Sequence, residues 1–144
     1  MEISVAIIGG GLAGCEAALF LDKLNNKFSK KKLYIVAGAN GVGKTTFVKE
    51  FVSSFGIKDE VSSPTFSILN IYDDKIYHYD IYNEGVTKFI QNGMLENLEL
   101  SGYHMIEWGD ESLEKILKEY GFKYIVLNIE VIDDKRYYKV INDT

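Results

Sequence analysis

The chain has 144 residues, 47% of them hydrophobic and 26% charged, with a formal net charge of -5, one cysteine and two histidines. That length supplies one core and is too short for two nucleotide-binding domains of ordinary size. The negative balance argues against a protein that grips a phosphate backbone unaided, Cys15 by itself excludes an intramolecular disulfide framework, and two histidines supply a zinc site poorly.

The apolar opening ISVAIIGGGLAGCEAALFL is not read as a signal peptide: Glu2 replaces the basic start, Glu16 interrupts the run, and the stretch is short for a membrane span. No membrane association and a reducing, cytoplasmic setting are therefore expected. Ile3 to Ile8 reads as a buried strand closed by glycines, and Ala17, Phe20, Leu21 and Leu24 keep helical spacing from Ala13 onward. A lysine-rich connection, Lys30 to Lys32, leads into a second strand, Leu33 to Ala37. After a second glycine loop, Phe47, Val48, Phe51, Val52 and Phe55 mark one face of a helix that Gly56 can cap.

Two alternating segments follow, Phe66 to Tyr72 and Lys75 to Tyr82, with Asp73-Asp74 between them as a hairpin turn. A short polar helix is expected over Glu84 to Gln91. Tyr103 to Trp108 is a further strand, and Asp110 caps a helix whose buried stripe is Leu113, Ile116, Leu117 and Tyr120. Lys123 to Ile132 and Tyr137 to Ile141 alternate around Asp133-Asp134, a second hairpin. Strands alternating with helices in the first half predict a three-layer α/β domain, and the hairpins make its mostly parallel central sheet mixed.

Two glycine-rich loops compete for a nucleotide. Residues 38–45, GANGVGKT, match GxxxxGK[ST] in full through Gly38, Gly43, Lys44 and Thr45, between a predicted strand and a predicted helix. Glycines let successive backbone N–H groups point at an anion, and the helix N-terminus favours negative charge. Lys44 adds a mobile cation for the outer phosphates, and the Thr45 hydroxyl is a ligand for Mg²⁺. Residues 9–14, GGGLAG, satisfy GxGxxG and resemble the FAD-binding start of GidA-like tRNA-modifying flavoproteins. A dinucleotide site also needs an acidic residue at the end of the next strand, and Gly38 stands there instead. The second loop is therefore assigned to nucleotide and the first to a tight turn.

Further chemistry is sought after the loop. Pro64, the only proline, stiffens VSSPTF so that the Thr65 hydroxyl can be presented to Mg²⁺ and the γ-phosphate; a strand-entry proline without chemistry fits the same pattern. In KIYHYDIYN, period-two geometry sends His78, Asp80 and Tyr82 to one face, as the solvated face of an edge hairpin also would. In HMIEWGD, an apolar strand ends at Glu107, the position of a carboxylate that meets Mg²⁺ or a water, next to Trp108, the only tryptophan. His104 reads as a satisfied core or surface histidine and Cys15 as packing. Arg136 is the only arginine and falls in or beside the last turn, so Lys44 is the only cation foreseen for phosphoryl chemistry and slow intrinsic hydrolysis is expected. Neither NKxD nor DxxG is present, which argues against a GTPase.

GANGVGKTTF, VSSPTFSILNIY, IYHYDIYN and IEWGD, in this order and at these intervals, resemble the TsaE (YjeE) family, the P-loop ATPases of bacterial tRNA threonylcarbamoyladenosine biosynthesis. The resemblance covers roughly residues 33 to 110 closely and implies a P-loop NTPase fold over 1–144 as a single domain, with 1–28 an atypical start. It implies that ATP and Mg²⁺ are bound by Gly38, Asn40, Gly41, Val42, Gly43, Lys44, Thr45 and Thr46 with Trp108 alongside. Thr45 and Glu107 would hold the metal, and Glu107, Asp80 and Thr65 would serve hydrolysis. The partners it implies are TsaD and TsaB, with tRNA reached only through them. The sequence departs from the family at Ala39 and Asn40, at Asn83 where the family motif ends in arginine, and at GGGLAG. A P-loop switch that binds without turnover and a flavin-binding fragment are the competing readings.

Overall fold

The computed structural model describes residues 3–7, 33–39, 41–58, 69–82 and 85–143, with backbone alone for 3–7 and 141–143. In chain order these give β1 (Ile3–Ile7), β2 (Leu33–Ala37), α1 (Lys44–Ser54), β3 (Leu69–Tyr72), β4 (Ile76–Asp80), α2 (Gly85–Gln91), α3 (Met94–Asn97), β5 (Tyr103–Glu107), α4 (Glu111–Glu119), β6 (Ile125–Ile132) and β7 (Lys135–Asp143). GGGLAG, the helix expected after it, Cys15, Lys30 to Lys32, Asn40, VSSPTF with Thr65, and Asn83 lie outside the described residues.

The strands form one sheet in the order β1-β7-β6-β2-β5-β4-β3. β6, β2, β5 and β4 pair in parallel, while β1, β7 and β3 join through antiparallel pairings, so five of the seven strands run the same way. The sheet is thus mixed and mostly parallel, as the alternation of strands and helices predicts.

Parallel central strands are covered on both faces, and β2 shows why its sequence reads as a continuous apolar run. Tyr34 and Val36 face one layer, where Phe47, Val48, Phe51 and Val52 of α1 pack against Met105, Ile125 and Leu127. Leu33 and Ile35 face the other, with Phe89 of α2, Leu95 of α3 and Leu113 and Leu117 of α4. Burial of Phe47 and Phe51 is essentially complete, and each contributes about 1.5–3 kcal/mol relative to an exposed ring.

Both aspartate pairs turn the chain. Asp73, Asp74, Asp133 and Asp134 all have φ between 50° and 61°, the left-handed region that a tight hairpin requires and that Asp tolerates better than most residues. Asp110 caps α4 by accepting the Leu113 N–H at 3.0 Å. The expected stripe on α4 ends early: Tyr120 is 68% exposed, because it forms the C-terminal cap and its side chain has turned off the buried face. The strand expected to reach Trp108 stops at Glu107, since Trp108 adopts φ 67° and leaves the extended region.

Candidate functional site

β2 leads directly into the loop that the sequence marks out. A Cβ on Gly38 would fall 2.4 Å from the Ile129 carbonyl oxygen, so only glycine lets the chain leave the sheet against β6 at this point. Gly43, at φ 106°, forms the left-handed entry to α1, which has no side-chain cap and no acid in its first turn. The first N–H groups of α1 therefore face the loop with the positive end of the helix dipole behind them, an arrangement suited to an anion.

Three parallel strands end side by side at this edge. Val36 of β2 pairs with Glu107 of β5, and Glu107 pairs with Asp80 of β4, so the loop and two carboxylates meet. The Thr45 hydroxyl lies 3.2 Å from both Glu107 carboxylate oxygens and donates between them. The buried His78 bonds Glu107 through Nε2 on one of the same oxygens. Asp80 accepts the Tyr82 N–H at 3.0 Å; burial pushes its carboxyl above the ordinary 3.8, against the pull of that bond.

Lys44 is buried and donates from Nζ to the carbonyls of Gly38 at 2.8 Å and Ala39 at 2.9 Å. Burial lowers its pKa from the ordinary 10.5, partly opposed by Glu107 and Asp80. A cleft of about 300 Å³ opens here, lined by Gly41, Gly43, Lys44, Thr45, Thr46, Glu107 and Trp108.

A glycine-rich loop, the hydroxyl of Thr45 and a strand-end glutamate are the parts on which known proteins can now be compared. The sequence model of "Threonylcarbamoyl adenosine biosynthesis protein TsaE" matches residues 16–139. The chain belongs to the TsaE family. Among similar proteins, the TsaE of Treponema pallidum is 32% identical over 69% of this chain and 73% of its own length. That of Bacillus subtilis is 34% identical over 67% and 63%, and that of Haemophilus influenzae 29% over 91% and 82%. A crystal structure of Bacillus subtilis YdiB superposes with a TM-score of 0.62 at 24% identity, covering 97% of this chain and 84% of that one, a likeness of fold.

In this TsaE-family chain the fold gathers most of the residues that the sequence singles out. Gly41, Gly43, Lys44, Thr45, Thr46, Glu107 and Trp108 share the cleft, and Asp80 adjoins it through Glu107. Gly38 sits at the base, offering its carbonyl to Lys44. Val42 differs: its side chain is buried in the core layer under α1, so only its backbone belongs to the loop. Asn40 and Thr65 lie outside the described residues, and GGGLAG precedes the matched segment as well.

Two side chains behave otherwise than the sequence suggests. His78 is not on a solvated edge, because β3 takes the outer position and β4 lies between β3 and β5. Arg136 stands beside the turn, as the sequence allows, but already inside β7, which starts two residues before the expected Tyr137, and its Nε reaches back to donate to the Val42 carbonyl at 2.8 Å. Neither contact has a local sequence signal; that the chain has a single arginine was the one available hint.

Proposed function

We propose that this chain binds ATP with Mg²⁺ at the loop and hydrolyses it as the nucleotide-driven component of tRNA threonylcarbamoyladenosine biosynthesis. It does so in the cytoplasm, as a single ATPase domain over 1–144 acting with TsaD and TsaB and reaching tRNA through them. The relatives' names supply the pathway, and no described helix is long and apolar enough to cross a membrane. The observation that carries the nucleotide reading is the Thr45 hydroxyl set 3.2 Å from the Glu107 carboxylate beside the glycine loop.

Hydroxyl and carboxylate oxygens are hard donors that fit Mg²⁺, and among the described residues no cluster of three His, Cys, Asp or Glu side chains could hold an ion without help. Thr45 and Glu107 are the residues that would hold the ion alongside a nucleotide's phosphates. Bound there, it would neutralise charge on the transferring phosphate. Backbone amides from Gly38, Asn40, Gly41, Val42 and Gly43 and the start of α1, with Thr46 alongside, receive the phosphates. Lys44 leaves its loop carbonyls for the outer phosphate oxygens, with Trp108 walling the cleft. His78 holds Glu107 in orientation, and Asp80, its carboxyl raised by burial, accepts the proton of the attacking water. By the family resemblance, Thr65 would serve hydrolysis with them.

The test is phosphate release by the purified chain with Mg²⁺ and ATP, alone and mixed with TsaD and TsaB. Turnover that rises in the mixture and is absent in Glu107→Gln supports the reading. Nucleotide binding without turnover in either condition would replace it with a switch.

A further inference from the structure

We infer that Arg136 is a positioning residue for the phosphate loop: from β7 it fixes the Val42–Gly43 peptide so that the Gly43 N–H faces the phosphates. The inference rests on the nucleotide-site reading above and adds to it a residue ninety-four positions away from the loop.

The backbone of Arg136 is pinned from both sides, paired with Val131 of β6 and with Ile7 of β1. Its Nε donates to the Val42 carbonyl at 2.8 Å. The guanidinium also runs close along Gly43, where an added Cβ would lie 3.3 Å from Nε and 3.7 Å from Cζ and Nη2. Peptide planarity turns this one bond into an orientation. In a trans peptide the C=O and the following N–H point in opposite directions. Holding the Val42 oxygen on Arg136 therefore aims the Gly43 N–H to the other side of the loop.

Gly43 lines the cleft and Arg136 does not, which fits an N–H turned away from Arg136 and towards the cleft. Arg136 thus works from behind the loop and touches no reacting atom. The need for such a brace follows from the loop's composition. Gly41 and Gly43, at φ 82° and 106°, flank Val42, and glycine loses more conformational freedom on ordering than any other residue. A peptide ordered in advance by an anchored side chain spares nucleotide binding that cost. Guanidinium geometry suits the task, because Nε sits within a planar group that can lie flat along a glycine backbone. Gly43 is accordingly small for two reasons, its left-handed backbone and the close approach of the guanidinium.

Arg136→Met, Arg136→Lys and Lys44→Ala in the full chain test this, using calorimetric titration with a non-hydrolysable ATP analogue and Mg²⁺, steady-state kinetics, and amide hydrogen exchange at Gly43 without nucleotide. Arg136→Met should weaken nucleotide binding about tenfold, the loss of one charge-assisted bond. It should raise KM with kcat nearly unchanged and speed Gly43 exchange, while the thermal midpoint moves little. Arg136→Lys, which keeps the charge and one donor, should recover part of the affinity. Wild-type affinity in Arg136→Met with unchanged Gly43 exchange would overturn the inference and leave the nucleotide site intact. Absence of binding in the wild type, matching Lys44→Ala, would overturn the site reading and the inference with it.

Discussion

The Lys44 ammonium lies 3.8 Å from the centre of the Trp108 ring. The same nitrogen donates to the Gly38 and Ala39 carbonyls, and the indole also meets the Tyr82 ring, with centroids 4.6 Å apart. Trp108 is thereby tied to the lysine proposed to meet the phosphates, and it is the only tryptophan in the chain.

Intrinsic fluorescence should therefore report the site. Titration with ATP and Mg²⁺ should change Trp108 emission saturably as Lys44 leaves the ring. Lys44→Ala should lose at least about 30-fold in affinity, the worth of a charge-assisted phosphate contact, and show no saturable change over the wild-type concentration range. Wild-type affinity in that variant would remove Lys44 from the phosphate site.

Glu107→Gln keeps side-chain volume and a hydrogen-bond acceptor for Thr45, but loses the negative charge. With the charge that would hold the ion gone, we expect hydrolysis to fall about 100-fold or more, with ATP affinity within about threefold of wild type. Steady-state rates compared with equilibrium titration separate the two, and an unchanged rate would reject Glu107 as a hydrolytic residue.

Gly109, two residues past Glu107, is packed between the sheet and α4. A Cβ there would lie 2.8 Å from both Ile35 Cγ2 and Leu113 Cδ2, two side chains fixed in the core. Gly109→Ala should destabilise the fold by about 1–3 kcal/mol, read as a lower urea midpoint. A midpoint equal to wild type would mean that α4 can slide away from β2 at little cost.

His104 gives a pH dependence. It is 2% exposed, its Nδ1 lies 2.8 Å from the Tyr79 hydroxyl and its Nε2 2.9 Å from the Leu100 carbonyl. A neutral ring protonated on Nε2 satisfies both contacts: Nε2–H donates to the carbonyl and Nδ1 accepts from Tyr79. Burial lowers its pKa below the ordinary 6.5, against the opposing pull of the Leu100 bond. On acidification the unfolded chain binds this proton before the folded one does, so stability is lost as pH falls through 6.5 towards the lower folded value. Urea midpoints from pH 7.5 to 5 should fall more steeply for wild type than for His104→Asn; parallel slopes would show that another group carries the dependence.

Much of this architecture is written locally. The GANGVGKT spacing between an apolar run and an amphipathic segment defines loop and helix together, because each requirement involves residues within a turn or two of one another. The aspartate pairs announce both hairpins for the same reason, as does Asp110 at the start of α4. What failed locally is equally specific. Tyr120 keeps the helical period yet is exposed, since periodicity does not say where a helix ends. Met94–Asn97 is too short to show a period at all.

The sequence alone determined that a glycine-rich loop of the GxxxxGK[ST] kind joins a strand to a helix, that Glu107 ends a later apolar strand, and that the motifs follow the order seen in TsaE proteins. Only the tertiary structure decided that β2 lies beside β5, bringing Thr45 to Glu107 across sixty-two positions, and that β4 is an inner strand with His78 buried on the same carboxylate. It alone carried Arg136 to the back of the loop. The reason is that periodicity records which face of its own element a residue occupies, whereas strand order records which distant elements share an edge, and that is chosen by packing over the whole sheet.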